Sequence, residues 1–221
     1  MSIHSSLRNT LLVSATITLA STVEAQFSVR IVDAPGATEI TDINLAESLL
    51  ISQPALGSGL FGTINFVGGG SDGDFSGGVA FPGGAGGSEN FALEALGVIL
   101  VNVTGSYIFR VNSDDGFRLY RDVNPDGTGG TVYSEFVGPR GPVNTDGPAL
   151  AISAGTSGVG RLTFFEGHGG EEVELSYSRD GGPFKLVGST GDITVQPVPE
   201  PGSLALLGIG LAGFAARRRR G

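Results

Sequence analysis

Apolar and polar residues alternate with period two along much of this chain. Phe27, Val29 and Ile31 share one face of a strand over residues 27–33. Residues 63–67 predict a further short strand. Residues 97–103 form an apolar strand, and Thr104-Gly105-Ser106 forms a turn. Tyr107, Phe109 and Val111 then alternate with Ile108, Arg110 and Asn112. Ser113-Asp114-Asp115-Gly116 predicts a second turn, with residues 117–121 returning beyond it. Two hairpins in succession predict a β-meander. More strands are expected at 131–136, 149–153, 161–166, 172–178, 184–187 and 193–195. The 161–166 and 172–178 strands are expected to pair around Gly167-His168-Gly169-Gly170. Asn44, as N-cap, and Glu47, as its capping-box partner, predict one short helix over 45–51. About ten short strands with frequent turn signals predict an all-β fold, an antiparallel sandwich or barrel-like sandwich.

Composition supports that reading. The chain has 38 glycines in 221 residues and no cysteine. Glycine without a three-residue period predicts many tight turns. The absence of cysteine excludes disulfides, thiolate metal sites and cysteine catalysis. Residues 68–88 hold ten glycines and are expected to form a long flexible surface loop. Asp72 and Asp74 offer carboxylates for calcium there, although no nonapeptide repeat accompanies them.

Both ends read as targeting segments. Met1 to Arg8 is a polar n-region, residues 11–20 are apolar, and Val23-Glu24-Ala25 offers a small-x-small cleavage pattern. Residues 1–25 therefore read as a signal peptide, cut by signal peptidase before Gln26. At the other end, Val198-Pro199-Glu200-Pro201-Gly202-Ser203 precedes a 13-residue apolar run (204–216) and Arg217, Arg218, Arg219 and Arg220. As a helix that run spans roughly 20 Å, against about 30 Å of hydrocarbon. It suits a transient membrane anchor, with the arginines held cytoplasmic. Residues 26–196 remain as one domain. Without Arg8, Glu24, Glu200 and the four arginines, 8 basic and 20 acidic residues remain. Such an acidic surface excludes nucleic acid as a natural partner.

The tail closely resembles the PEP-CTERM sorting signal (197–221). The resemblance implies recognition by an exosortase and delivery to the surface or extracellular matrix of a Gram-negative cell, with transient anchoring in the inner membrane. A second resemblance lies inside the domain. Gly105-Ser106-Tyr107-Ile108-Phe109-Arg110-Val111-Asn112-Ser113-Asp114-Asp115-Gly116-Phe117 is similar to the core of PA14 domains. Phe164-Phe165-Glu166-Gly167-His168-Gly169-Gly170 resembles a second stretch of that family. The match covers roughly 91–187; the glycine-rich stretch before it and the lack of tryptophan depart from the family.

PA14 domains are β-sandwiches found with glycosidases, adhesins and toxins. In sugar-binding members two aspartates joined by a cis peptide hold Ca2+ that contacts sugar hydroxyls. The resemblance assigns that role to Asp114 and Asp115. Calcium needs 6–8 oxygen ligands, and Asn144 and Asp146 are the candidates from a neighbouring loop. Tyr120 and Tyr133 are the candidate aromatic platform for a sugar. The alternative reading is a turn whose carboxylates accept backbone N–H bonds, with Gly116 at positive φ.

Catalysis is not expected. His168 is the only histidine left after export, and no nucleophile elbow is present. Glu166, Glu171, Glu172 and Glu174 could supply a glycosidase pair, but Glu172 and Glu174 read more simply as a solvated strand edge. The function expected is an exported surface module that binds glycan or exopolysaccharide. The alternatives are a structural matrix protein and a hydrolase accessory.

Overall fold

The computed structural model describes residues 26–36, 38–70, 73–85 and 89–198. The expected signal peptide (1–25), Asp72, Pro199, Glu200, Pro201, the apolar run (204–216) and Arg217 to Arg220 lie outside the described residues. No helix among the described residues is long and apolar enough to cross a membrane. In chain order the strands are β1 (Phe27–Asp33), β2 (Gly57–Phe61), β3 (Asn65–Val67), β4 (Phe91–Val101), β5 (Gly105–Asp114), β6 (Phe117–Arg121) and β7 (Thr131–Phe136). They continue as β8 (Val143–Asp146), β9 (Leu150–Ile152), β10 (Ser157–Glu166), β11 (Glu172–Arg179), β12 (Lys185–Leu186) and β13 (Ile193–Gln196). One α-helix, α1 (Ile43–Ser52), lies between β1 and β2.

The strands form two antiparallel sheets, so the molecule is an all-β sandwich. The first runs β2-β1-β4-β10-β6-β7, with β13 also on β4. The second runs β12-β11-β5-β8, with β3 on β11 and β9 on β5. The expected meander is not formed. β4 and β6 belong to the first sheet, whereas β5 between them belongs to the second. β10 and β11 likewise part into opposite sheets rather than pairing around Gly167. Turn residues reverse the chain, but they do not choose which sheet receives it. Burial chooses: successive strands place their apolar faces inward from opposite sides of one core.

The inward positions are large. Phe81 sits 5.4 Å from Phe66, 5.1 Å from Phe91 and 5.8 Å from Phe164, ring centre to ring centre. Tyr107, Phe109 and Tyr177 fill the core further along. Each such ring contributes roughly 1.5–3 kcal/mol by burial. Helix α1 covers the outer face of the first sheet, where Ile43, Ala46, Leu49 and Leu50 pack with Val32, Ala92 and Phe165. Its N-cap is Asp42, not Asn44: Asp42 Oδ1 accepts from the N–H groups of Asn44 (2.8 Å) and Leu45 (3.1 Å). Glu47 does not reach back to the cap. It receives Arg118 and the Tyr120 hydroxyl, each at 2.8 Å.

The glycine-rich stretch is not a free loop where it is described. Val67 N–H donates to Val79 O and Val79 N–H to Asn65 O, both at 3.0 Å, and Gly68 N–H donates to Glu171 O at 2.8 Å. Phe81 and Ala85 are core residues. Glu172 and Glu174 are buried beneath it rather than solvated. Alternation does place both on the face of β11 turned from the core, but a second layer of chain covers that face.

Candidate metal centre

Asp114 ends β5 and Asp115 begins the turn to β6. That turn docks against the end of β10. Asp115 N–H donates to Phe165 O at 3.3 Å, and Phe165 N–H donates to Gly116 O at 3.0 Å. Docking brings Glu166, the last residue of β10, to the aspartate pair. One carboxylate oxygen each from Asp114, Asp115 and Glu166 lie within 4.8 Å of one another. Asp115 and Glu166 are buried, and Asp114 is half-buried. The Asp114–Asp115 peptide is cis, as the family resemblance implies.

The three acids differ in what they already hold. Asp115 Oδ1 accepts from Arg140 N–H and Oδ2 from Gly167 N–H, both at 2.8 Å. Each oxygen keeps a further lone pair. Glu166 has no hydrogen-bond partner on either carboxylate oxygen among the described residues. Burial, then the charges of Asp115 and Asp114, push its pKa up to about 9. Burial, then Asp115, raise Asp114 to about 6. A buried carboxylate with no donor is costly as an anion, so it takes up a proton or a cation.

Neighbouring loops frame the group. Ser113 Oγ donates to Asp115 O at 2.7 Å, and Arg140 Nη2 donates to Ser113 Oγ at 2.7 Å. The Arg140 guanidinium lies 4.5 Å from the centre of the Phe136 ring. Gly116 is not left-handed; glycine is required there because a Cβ would stand 2.5 Å from Phe165 Cε1 and 2.8 Å from Gly138 O. On the rim, His168 is exposed and its Nδ1 lies 2.8 Å from Glu89. That bond raises the His168 pKa.

Asn144 and Asp146 are not brought to this group. They lie on β8, opposite Asn112 and Arg110. Asp146 receives Arg110 Nε at 2.5 Å and Nη2 at 3.0 Å, and Asn144 donates to Asp74 Oδ2 at 2.7 Å. Tyr120 and Tyr133 are also engaged elsewhere. The Tyr120 ring carries the Arg161 guanidinium at 4.0 Å. Tyr133 packs edge-on against Phe109 and donates to Pro148 O at 2.5 Å. Both line a cleft of about 390 Å³ between the sheets. Glu166 takes the place expected of the β8 residues. Its signal in the sequence is a lone acid ending an apolar strand, just before the second PA14-like glycine turn.

Two families match the chain: the PA14 domain at residues 70–125 and the PEP-CTERM protein-sorting motif at 197–220. The chain carries a PA14-like β-sandwich and a PEP-CTERM sorting motif. The PA14 match begins at residue 70, so part of the glycine-rich stretch belongs to it rather than departing from it. The sorting motif indicates an exported, exosortase-processed protein. Comparison with curated proteins finds no match.

Solved structures share the fold. One is a PA14 sugar-binding domain from an RTX adhesin, with 15% identity, TM-score 0.56, and 73% of this chain and 94% of that chain covered. The PA14 domain of the antifreeze protein MpAFP is 13% identical, with TM-score 0.59, covering 85% and 99%. The A domain of epithelial adhesin 6 from Candida glabrata, solved with Galβ1-3GlcNAc, is 14% identical, with TM-score 0.58, covering 82% and 92%.

Proposed function

We propose that the PA14-like sandwich is a Ca2+-dependent glycan-binding module of an exported protein, displayed at the cell surface or in the extracellular matrix. The observation that carries this is the convergence of Asp114, Asp115 and Glu166 oxygens within 4.8 Å. The donor set fits a hard cation: every ligand is oxygen, and Glu166 brings two oxygens without a donor. Bound there, Ca2+ supplies coordination positions for vicinal sugar hydroxyls. Asp115 is held by Arg140 and Gly167, so its carboxylate is oriented before any ligand arrives. Asp114 is the most exposed of the three and faces the ligand side. The sugar-binding names of the adhesin relatives support a glycan as that ligand and binding without turnover as the activity. Exopolysaccharide of the producing cell is the target that the sorting motif favours.

A glycan array probed with the full chain, in Ca2+ and in chelator, tests this reading. Binding that disappears in chelator and in Asp114→Asn is expected. Binding that ignores chelator removes the metal role. No binding to any glycan leaves a structural matrix protein, and turnover of a polysaccharide makes it a hydrolase.

A further inference from the structure

A second set of buried oxygens lies on the outer face of the second sheet. Strands β8, β5, β11 and β3 place Asn144, Asn112, Glu174 and Asn65 side by side in register. Glu172 stands two residues along β11, opposite Asp114. The glycine-rich segment crosses this row. Asp74 N–H donates to Glu174 Oε2 at 2.9 Å and Phe75 N–H to Oε1 at 3.0 Å. A Cβ on Gly73 would stand 2.6 Å from Glu174 Oε1, so the backbone lies directly on the carboxylate.

Glu174 is satisfied by these bonds, but its neighbours are not. Glu172 Oε1 and Asn112 Oδ1 are buried and have no hydrogen-bond partner among the described residues. Their residues are only 3% and 5% exposed. The Asn112 orientation is fixed, because its Nδ2 faces Glu174 Oε2 at 3.4 Å. Turning the amide over would set oxygen against carboxylate. Glu172 is buried beside Glu174, with Asp74 and Asp114 near it, and the Gly73 N–H reaches its carboxylate. Two orphaned acceptors beside the Glu174 and Asp74 carboxylates want a cation rather than another acceptor.

We propose that Asp74, Asn112 and Glu172 form a second site for a hard divalent cation of the Ca2+ class, which fastens the glycine-rich loop to the sheet. Asp74 is exposed and gives the ion its entry. Gly73 and Gly77 are both left-handed and let the loop draw Asp74 inward. All three ligands present oxygen, the chemistry Ca2+ takes. The site shares no ligand with Asp114, Asp115 and Glu166 and stands independently of the glycan reading.

Native mass spectrometry and calcium titration of the full chain test it. The wild type is expected to hold two Ca2+. Asp74→Asn, an exposed change that leaves the fold intact, weakens one of them by about tenfold or more. Glu172→Gln with Asn112→Ala abolishes that one and leaves calcium-dependent glycan binding in place. Asp114→Asn removes the other ion only. Calcium should also protect the Phe75 bond from chymotrypsin in the wild type but not in Asp74→Asn. One bound Ca2+ in the wild type, lost in Asp114→Asn and indifferent to Asp74→Asn, overturns this site and keeps the first. One bound Ca2+ that survives Asp114→Asn and is lost in Asp74→Asn keeps this site and overturns the first.

Discussion

The backbone N–H of Arg140 donates to Asp115 Oδ1 at 2.8 Å. The same residue sends its guanidinium to Ser113 Oγ, Thr145 Oγ1 and Val143 O. One arginine thus ties the β7–β8 connection to the aspartate turn. Its charge also lowers the Asp114 pKa against burial and Asp115.

Arg140→Ala keeps the backbone bond but removes the side-chain bonds and the contact with Phe136. A loss of about 2 kcal/mol in folding stability is expected. The pH at which calcium half-saturates should also move upward, because Asp114 loses its nearby cation. Arg140→Lys restores the charge without the planar fork, so it should recover the pH profile more than the stability. Calcium titrations across pH check this; an unchanged profile in Arg140→Ala means that Arg140 only braces the loop.

Tyr133 is tied into the fold at both sides of its hydroxyl. Its hydroxyl donates to Pro148 O and accepts from Phe109 N–H at 3.2 Å. Tyr133→Phe should cost about 1 kcal/mol in chemical denaturation and leave glycan binding unchanged. A loss of glycan binding without a loss of stability would return Tyr133 to the ligand.

The strands were legible because period-two patterning reports burial directly. Phe27, Val29 and Ile31 point inward as expected. Two strands escaped that signal. β2 alternates glycine with Ser58 and Leu60, and β8 has no apolar alternation between its glycine and proline neighbours. The pairing of strands was not legible, since a turn such as Ser113 to Gly116 looks the same whether it joins neighbours or crosses between sheets. Asp114 and Asp115 stand out in the sequence through their motif. Glu166 was not assigned to them, because 51 residues separate it from Asp115 and only the docking of the turn on β10 joins them. Asn144 and Asp146 are near in sequence, but β8 turns them toward Asp74 and Arg110 instead.

Asp42, rather than Asn44, closes the first turn of α1. Asp42→Ala should cost about 1 kcal/mol, whereas Asn44→Ala should cost clearly less, since Asn44 already lies inside the helix. Urea denaturation of the two variants separates the assignments. Equal losses would mean that the cap is shared.

The pH dependence of stability follows from Asp114 and Glu166. Both have folded pKa values raised, to about 6 and about 9. At low pH both are protonated in the folded and unfolded chains, and neither opposes folding. As pH rises past about 4, the unfolded carboxylates release protons that the folded ones retain. The metal-free protein therefore loses stability between about pH 4 and pH 9, with the Asp114 share complete near pH 6. Calcium requires the ionised carboxylates, so its affinity rises over the same window. A hundredfold excess over Kd adds about 2.7 kcal/mol. Thermal melts at pH 5 and pH 8 check both halves. In chelator the melting temperature should fall with pH; in millimolar calcium the fall should vanish or reverse. Glu166→Gln should flatten the chelator profile and remove most of the calcium response. A calcium response that survives in Glu166→Gln takes Glu166 out of the ligand set and leaves the aspartates to hold the ion with other groups.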